Sequence, residues 1–320
     1  MDTVSIVIPV FQNEGSLHKT ISTLVDLCVE FKRVNCALEL IFVDDGSFDK
    51  SLKVLEEHGH IANLVVIKLT RNFGQIPAIQ AGISYAKGKY IGVISADLQD
   101  PPELLLEMYS HLNNGTKLVI AERKSRNEGQ LKRLTSKMYW GMIKKYSMKD
   151  FPVGGFDFCM FDRQVACEID KNHEKNTNIF PLIFWLGFTP KILSYRRKER
   201  ESGKSTWTFL KKVKLTIDTI IGFTYLPTRV ISIGAISVSL FAFSYSVFIF
   251  SYWLFGYGYA PDGWTTIILL ILTIGGGILF SLGILGEYLL RILDEVRSRP
   301  NYIVDEVYRN KGSSNEEQSK

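Results

Sequence analysis

The residues of this 320-residue chain that could do chemistry gather in four short polar clusters. They are Pro9-Val10-Phe11-Gln12-Asn13-Glu14, Asp44-Asp45-Gly46-Ser47, Arg71-Asn72-Phe73-Gly74 and Ser95-Ala96-Asp97-Leu98-Gln99-Asp100-Pro101-Pro102. Any one of them alone is an ordinary turn, and Asp-Asp-Gly-Ser is a common turn and helix cap. Brought together, their carboxylates would repel one another unless a cation intervened, and Arg71 would suit an anionic ligand. A divalent metal with a nucleotide diphosphate satisfies both demands.

Such clusters need elements that deliver them to one place. Residues 4–10, 39–43, 64–69 and 90–95 are short apolar, β-branched runs without polar alternation, the pattern of parallel strands buried on both faces. Residues 17–31, 51–57, 77–85 and 102–112 carry apolar side chains at helical spacing. The order is βαβαβαβ, so the fold class is α/β, a doubly wound and mostly parallel sheet. Ligands of such sheets lie beyond the carboxyl ends of the strands, and each cluster follows one of the four runs.

The 38 basic and 33 acidic residues avoid one region. Residues 230–286 hold a single charged side chain, Asp262, which excludes a purely soluble, secreted or disordered protein. Residues 230–260 and 265–286 are each long enough to cross a hydrocarbon core of about 30 Å as a helix. The turn between them contains no Lys or Arg, whereas Lys211, Lys212, Lys214 and Arg229 precede the pair and Arg291, Arg297 and Arg299 follow it. A two-helix transmembrane hairpin with both termini in the cytoplasm is therefore expected. Leu210, Val213, Ile217, Ile220 and Ile221 recur at helical spacing just upstream, as in an interfacial amphipathic helix. Gly275, Gly276, Gly277 and Gly283 would permit close helix approach, within the hairpin or between the subunits of a homo-oligomer. Residues 191–214 carry nine Lys or Arg against Glu199 and Glu201. Their place directly before the apolar block favours anionic lipid or phosphate as partner over nucleic acid. The N-terminus has no basic flank and its apolar run is broken by Pro9, so no signal peptide is expected. Cys28, Cys36, Cys159 and Cys167 lack CxxC spacing and are expected to be free, mostly buried thiols.

These residues resemble glycosyltransferase family 2, with its GT-A fold, and within it the polyisoprenyl-phosphate glycosyltransferases similar to dolichol-phosphate mannose synthase. The resemblance covers nearly the whole chain. It rests on residues 8–14, Asp44-Asp45-Gly46-Ser47, Arg71-Asn72-Phe73-Gly74, residues 96–103, Gly154-Gly155-Phe156-Asp157, Arg200 with Gly203, Ser205 and Trp207, and the hairpin. It implies a GT-A domain over 1–205, an amphipathic helix over 206–228, the hairpin over 229–290 and a cytoplasmic tail over 291–320. It further implies that Pro9, Glu14, Asp44 or Asp45, and Arg71 hold the nucleoside. Asp97 and Gln99 would bind Mg²⁺ or Mn²⁺. Arg123, Arg133 and Arg200, with Ser205, would grip the acceptor phosphate and the leaving diphosphate, and Asp97, Asp157 and Arg133 would act at the reacting groups.

The activity so implied is transfer of a sugar, with inversion, from a nucleotide-diphosphate sugar to a polyisoprenyl phosphate such as undecaprenyl or dolichyl phosphate. The product would serve cell-envelope glycan modification at the inner membrane. Ser95 departs from the family's Asp-x-Asp pattern and removes one negative charge from the metal site. Residues 130–134 imitate the Gln-x-x-Arg-Trp element of processive polysaccharide synthases but lack the Trp. Two rivals to this reading are such a synthase, which would need more spans, and a catalytically silent membrane scaffold, which draws on Ser95 alone.

Overall fold

The computed structural model describes residues 2–123, 151–152, 156–171, 178–197 and 264–309, with individual residues between 231 and 255. Met1–Leu215 and Pro300–Lys320 make one unit and Thr216–Arg299 a second.

The first unit is built on an eight-stranded sheet in the order β7-β5-β6-β4-β1-β2-β3-β8. The strands are β1 (Asp2–Val10), β2 (Cys36–Asp44), β3 (Leu64–Leu69), β4 (Tyr90–Val93), β5 (Leu118–Arg123), β6 (Cys159–Asp162), β7 (Pro190–Tyr195) and β8 (Val304–Arg309). β1 pairs in parallel with β2 and β4, as do β2 with β3 and β5 with β7. β6 runs antiparallel between β4 and β5, and β8 antiparallel to β3. The expected α/β fold with a mostly parallel sheet is therefore present, and it is GT-A-like.

Between the strands lie α1 (Glu14–Arg33), α2 (Ser51–Glu57), α3 (Gln75–Tyr85) and α4 (Leu104–Asn113), followed by α5 (Arg163–Lys171) and α6 (Ile179–Trp185). α1 buries Leu17, Ile21, Leu24, Leu27 and Phe31, a stripe at helical spacing that packs on the sheet. α3 approaches so closely that a Cβ on Gly82 would lie 2.2 Å from Val7 Cγ1. The central strands are buried on both faces, with Ile6, Val7, Ile8, Ile41, Phe42, Val66 and Ile67 at 0% exposure, which is why their sequences do not alternate. The cysteines are free; Cys36 and Cys159 are buried, whereas Cys167 is exposed.

Residues 291–320, read from sequence as a tail, instead contain the end of a helix and an edge strand. Leu69 pairs with Val304 and Ile67 with Val307, Lys68 meets Asp305 at 2.5 Å, and the Thr70 amide donates to the Ile303 carbonyl. Tyr302 and Asn301 bond to Ser84 and Gln80 of α3, fixing the approach to the strand. A six-residue edge strand carrying Asp305, Glu306 and Arg309 has no apolar run to announce it.

In the second unit the described residues from 231 to 254 are helical, and α7 (Trp264–Val296) runs for 33 residues. Its segment Ile274–Val296 is the one helix among the described residues long and apolar enough to cross a membrane. Leu279 and Val296 are 71% and 74% exposed. The helix continues past residue 290, where sequence reading ends the hairpin, to Val296, two residues before Ser298, whose φ is +47°. The connecting turn, the amphipathic segment and the tail beyond residue 309 lie outside the described residues.

Candidate active site

Because β1 to β4 run parallel, their C-terminal ends open onto one edge of the sheet, and the four polar clusters stand there together. β6 is antiparallel to both β4 and β5, so β5 and β7 end at that edge and β6 begins there. Arg123 and Tyr195, the last residues of β5 and β7, and Asp157, two residues before β6, are thereby added to the clusters.

The loops after β1 and β2 are clasped together. The amides of Gln12, Asn13 and Glu14 donate to Ser47 Oγ, Ser51 Oγ and Asp49 Oδ2 at 3.1, 2.9 and 3.2 Å. Glu14 returns the bond by accepting from the Lys50 amide at 3.3 Å, so one of its oxygens serves the clasp. Gly46 has φ +66°, and a Cβ there would lie 2.6 Å from the Arg71 carbonyl carbon and the Asn72 nitrogen. Only glycine lets the β2 and β3 loops touch.

Asp44 and Asp45, left as alternatives by sequence, separate in the structure. Asp45 accepts from the Phe73 and Gly74 amides at 2.7 and 2.9 Å, so both its oxygens hold the β3 loop. Burial pushes its pKa up to about 6 against those two amides, with Asp44 adding to the rise. Asp44 is 1% exposed; its Oδ2 takes the Ser47 amide at 3.2 Å while its buried Oδ1 has no hydrogen-bond partner among the described residues. A buried carboxylate oxygen without a donor is costly, so Oδ1 is poised for a ligand N–H or O–H. Arg71, on the β3 loop that Gly46 touches, is exposed, with its guanidinium 4.8 Å from the Phe73 ring centre.

At the end of β4, Ser16 and Thr20 of α1 donate to the Ala96 carbonyl at 3.2 and 2.8 Å and anchor the loop that carries Asp97. Leu98 is left-handed (φ +53°), and the Gln99 amide donates to Asp97 Oδ1 at 3.2 Å. Ser95 Oγ stands 2.8 Å from Asp97 Oδ1 and 3.0 Å from Asp100 Oδ2. Among the described residues no group of three or more His, Cys, Asp or Glu could hold a metal, so Asp97 and Gln99 would offer one carboxylate and one amide oxygen. That donor set fits a hard divalent cation whose remaining positions are filled by diphosphate and water, as Mg²⁺ sites usually are.

Beyond Ser95 the network continues. Asp100 is fully buried, accepts from Tyr195 Oη at 2.5 Å and lies 3.5 Å from Arg197 Nε. Burial, with Asp157 nearby, raises its pKa. Arg123 Nε donates to Tyr195 Oη at 3.2 Å, and Arg123 Nη2 pairs with Asp157. Among the described residues this network therefore holds three carboxylates, Asp97, Asp100 and Asp157, against the guanidinium groups of Arg123 and Arg197, an excess that would repel a diphosphate unless a cation joined it.

The pattern of the family described as glycosyl transferase family 2 matches residues 5–169, from β1 into α5. The chain belongs to glycosyltransferase family 2. It is 38% identical to the uncharacterized glycosyltransferase YkcC of Bacillus subtilis, over 95% of this chain and 94% of that protein. It is 32% identical to the undecaprenyl-phosphate 4-deoxy-4-formamido-L-arabinose transferase of Proteus mirabilis, over 96% and 94%. With the prophage-derived bactoprenol glucosyl transferase of Shigella flexneri it shares 31%, over 96% and 98%.

Within this glycosyltransferase, the candidate residues Pro9, Glu14, Asp44, Asp45, Arg71, Asp97, Gln99, Arg123 and Asp157 all come to one edge of the sheet. Arg133, Arg200, Ser205 and Gly203 lie outside the described residues. Sequence reasoning gave no role to Asp100, Tyr195, Arg197 or Thr20. The signal for Tyr195 and Arg197 was the short run Ile192-Leu193-Ser194-Tyr195 ending in two arginines, a strand end of the same kind as the other four.

Proposed function

We propose that this protein transfers a sugar from a nucleotide-diphosphate sugar to a polyisoprenyl phosphate at the membrane surface, with inversion at the anomeric carbon. The observation that carries the reading is the union, in one chain, of the acidic sheet edge and the apolar helix α7. Relatives named as undecaprenyl-phosphate and bactoprenol transferases match over 94% and 98% of their lengths, α7 included, which supports the same class of acceptor here.

In this reading Asp44 Oδ1 receives a donor group of the nucleoside and Arg71 faces its phosphates. Asp97 and Gln99 would hold Mg²⁺ or Mn²⁺ together with the diphosphate. That ion would supply charge neutralisation for the leaving group. Arg123, with Arg133 and Arg200, would hold the acceptor phosphate in line with the anomeric carbon, oriented by Asp157. A phosphate monoester, with its second pKa near 6, is already largely dianionic at pH 7, so the chain needs no general base. One phosphate oxygen bonds the anomeric carbon as the bond to the diphosphate breaks, and the nucleoside diphosphate leaves with the electron pair. α7 and the helical residues before it would form the anchor, with the catalytic unit cytoplasmic.

Incubating the full chain in membranes with labelled nucleotide sugars and undecaprenyl or dolichyl phosphate tests this. Label that becomes extractable into organic solvent is expected. Aqueous polymer, or no transfer with any donor, would refute the reading.

A further inference from the structure

We infer that Tyr195 is a positioning residue that holds the acceptor-side Arg123 in register with the donor-side loop, with the buried carboxylate of Asp100 as its fixed point. The inference rests on the proposed role of Arg123 in gripping the acceptor phosphate, and goes beyond it to what aims that arginine.

From Arg123 to Asp100 the bonds have one permitted direction, and beyond Asp100 the single Ser95 proton serves one of two carboxylates at a time. Arg123 Nε can only donate, at 3.2 Å, to Tyr195 Oη. The phenol has a single proton, and it must therefore point to Asp100 Oδ1, 2.5 Å away. Asp100 Oδ2 lies 3.0 Å from Ser95 Oγ, which reaches Asp97 Oδ1 at 2.8 Å. A continuous path of side chains thus runs from the candidate metal ligand to the candidate phosphate ligand. It joins the β4 loop to the ends of β7 and β5.

Each link is held from outside the path. Arg123 and Tyr195 are partners in the parallel β5–β7 register, so their side chains leave neighbouring strands at one level. The Tyr195 ring is buried at 6% exposure and packs edge-on against Phe158 at 6.0 Å. Asp100 is at 0% exposure, with Arg197 beside it. The second hold on Arg123, its ion pair with Asp157, uses Nη2. Nε and Nη2 together fix the plane of the guanidinium, and neither bond uses Nη1. A phenylalanine at 195 would keep the ring packing and remove only the hydroxyl. The arginine would then pivot about the Asp157 contact.

The test uses the full chain in detergent, with farnesyl phosphate as acceptor probe and UDP and GDP as donor probes, binding being measured by calorimetry. Tyr195→Phe should weaken farnesyl phosphate binding about five-fold or more and raise the acceptor KM to match. Nucleoside diphosphate affinity should stay within about two-fold. Asp100→Asn keeps an oxygen that can accept from Tyr195, so it should retain more farnesyl phosphate binding than Asp100→Ala, a rescue that mere filling of space would not produce. Equal weakening of both ligand classes by Tyr195→Phe, or unchanged farnesyl phosphate binding, overturns the inference while the function stands. If the native chain binds no farnesyl phosphate and transfers no sugar to lipid phosphate, the reading of function falls and the inference with it.

Discussion

Asp44→Asn would keep an oxygen for the Ser47 amide but lose the charged acceptor at the buried Oδ1, to which none of the described residues donates. Nucleoside diphosphate affinity should fall about ten-fold or more, the equivalent of about 1.4 kcal/mol upward, with little change in thermal unfolding. Asp45→Asn should do the reverse, because an amide oxygen cannot replace both oxygens that hold the Phe73 and Gly74 amides. Its pH behaviour has a definite sign. Its pKa is raised from 3.8 to about 6, so folding disfavours the ionised carboxyl relative to the unfolded chain. Its stabilising contribution is full below about pH 4, declines up to about pH 6 and is level above. Denaturant unfolding of the native chain and of Asp45→Asn over that range should show the slope in the first and its absence in the second. At the proposed metal site, Asp97→Asn should abolish transfer, and full activity of that variant in chelator would sink the metal assignment. Ser95→Asp would set a third carboxylate about 3 Å from Asp97 and Asp100. Its unfolding midpoint should drop by several degrees in chelator and recover in Mn²⁺, with a lower half-saturating metal concentration than the native chain.

At the scale of elements, β8 is the most testable surprise. Ending the chain at Ile303 should leave the β3 edge unpaired, lower the unfolding midpoint by several degrees and promote aggregation, which thermal unfolding and light scattering would register. Its absence from the sequence reading has a physical cause. β1 to β4 were legible because strands covered on both faces must be continuously apolar, and residues 64–69 and 51–57 matched β3 and α2 to the residue. β6 has four residues and β8 is half charged. Their conformation comes from the neighbour they pair with, not from local propensity. The site divides in the same way. Asp44, Arg71 and Asp97 were legible because each ends a readable strand. Asp100 and Tyr195 were not, because what matters about them is a contact across 95 residues, and only the β5–β7 register creates it.

For the whole molecule, recruitment of the lipid substrate should depend on the basic stretch as well as the anchor. Lys211→Glu with Lys212→Glu should weaken docking on anionic vesicles by about 1 kcal/mol per residue, an effect that fades as salt rises. Transfer that is unchanged across salt concentrations would show that this stretch recruits nothing. The second consequence belongs to β8. β7 and β8 lie in one sheet, at its opposite edges, and everything from residue 196 to residue 303 is strung between them. A single rigid body cannot stand on both sides of a bilayer, so a path that begins and ends on it has even parity. If α7 crosses, a second crossing must lie between residues 196 and 263, where the helical residues from 231 to 254 are the apolar candidate. Cysteines placed near residue 200 and near residue 302 should then label from the same side, and one placed between residues 256 and 263 from the other. If α7 crosses, the last strand makes the path between β7 and β8, in the topologist's sense, a closed excursion.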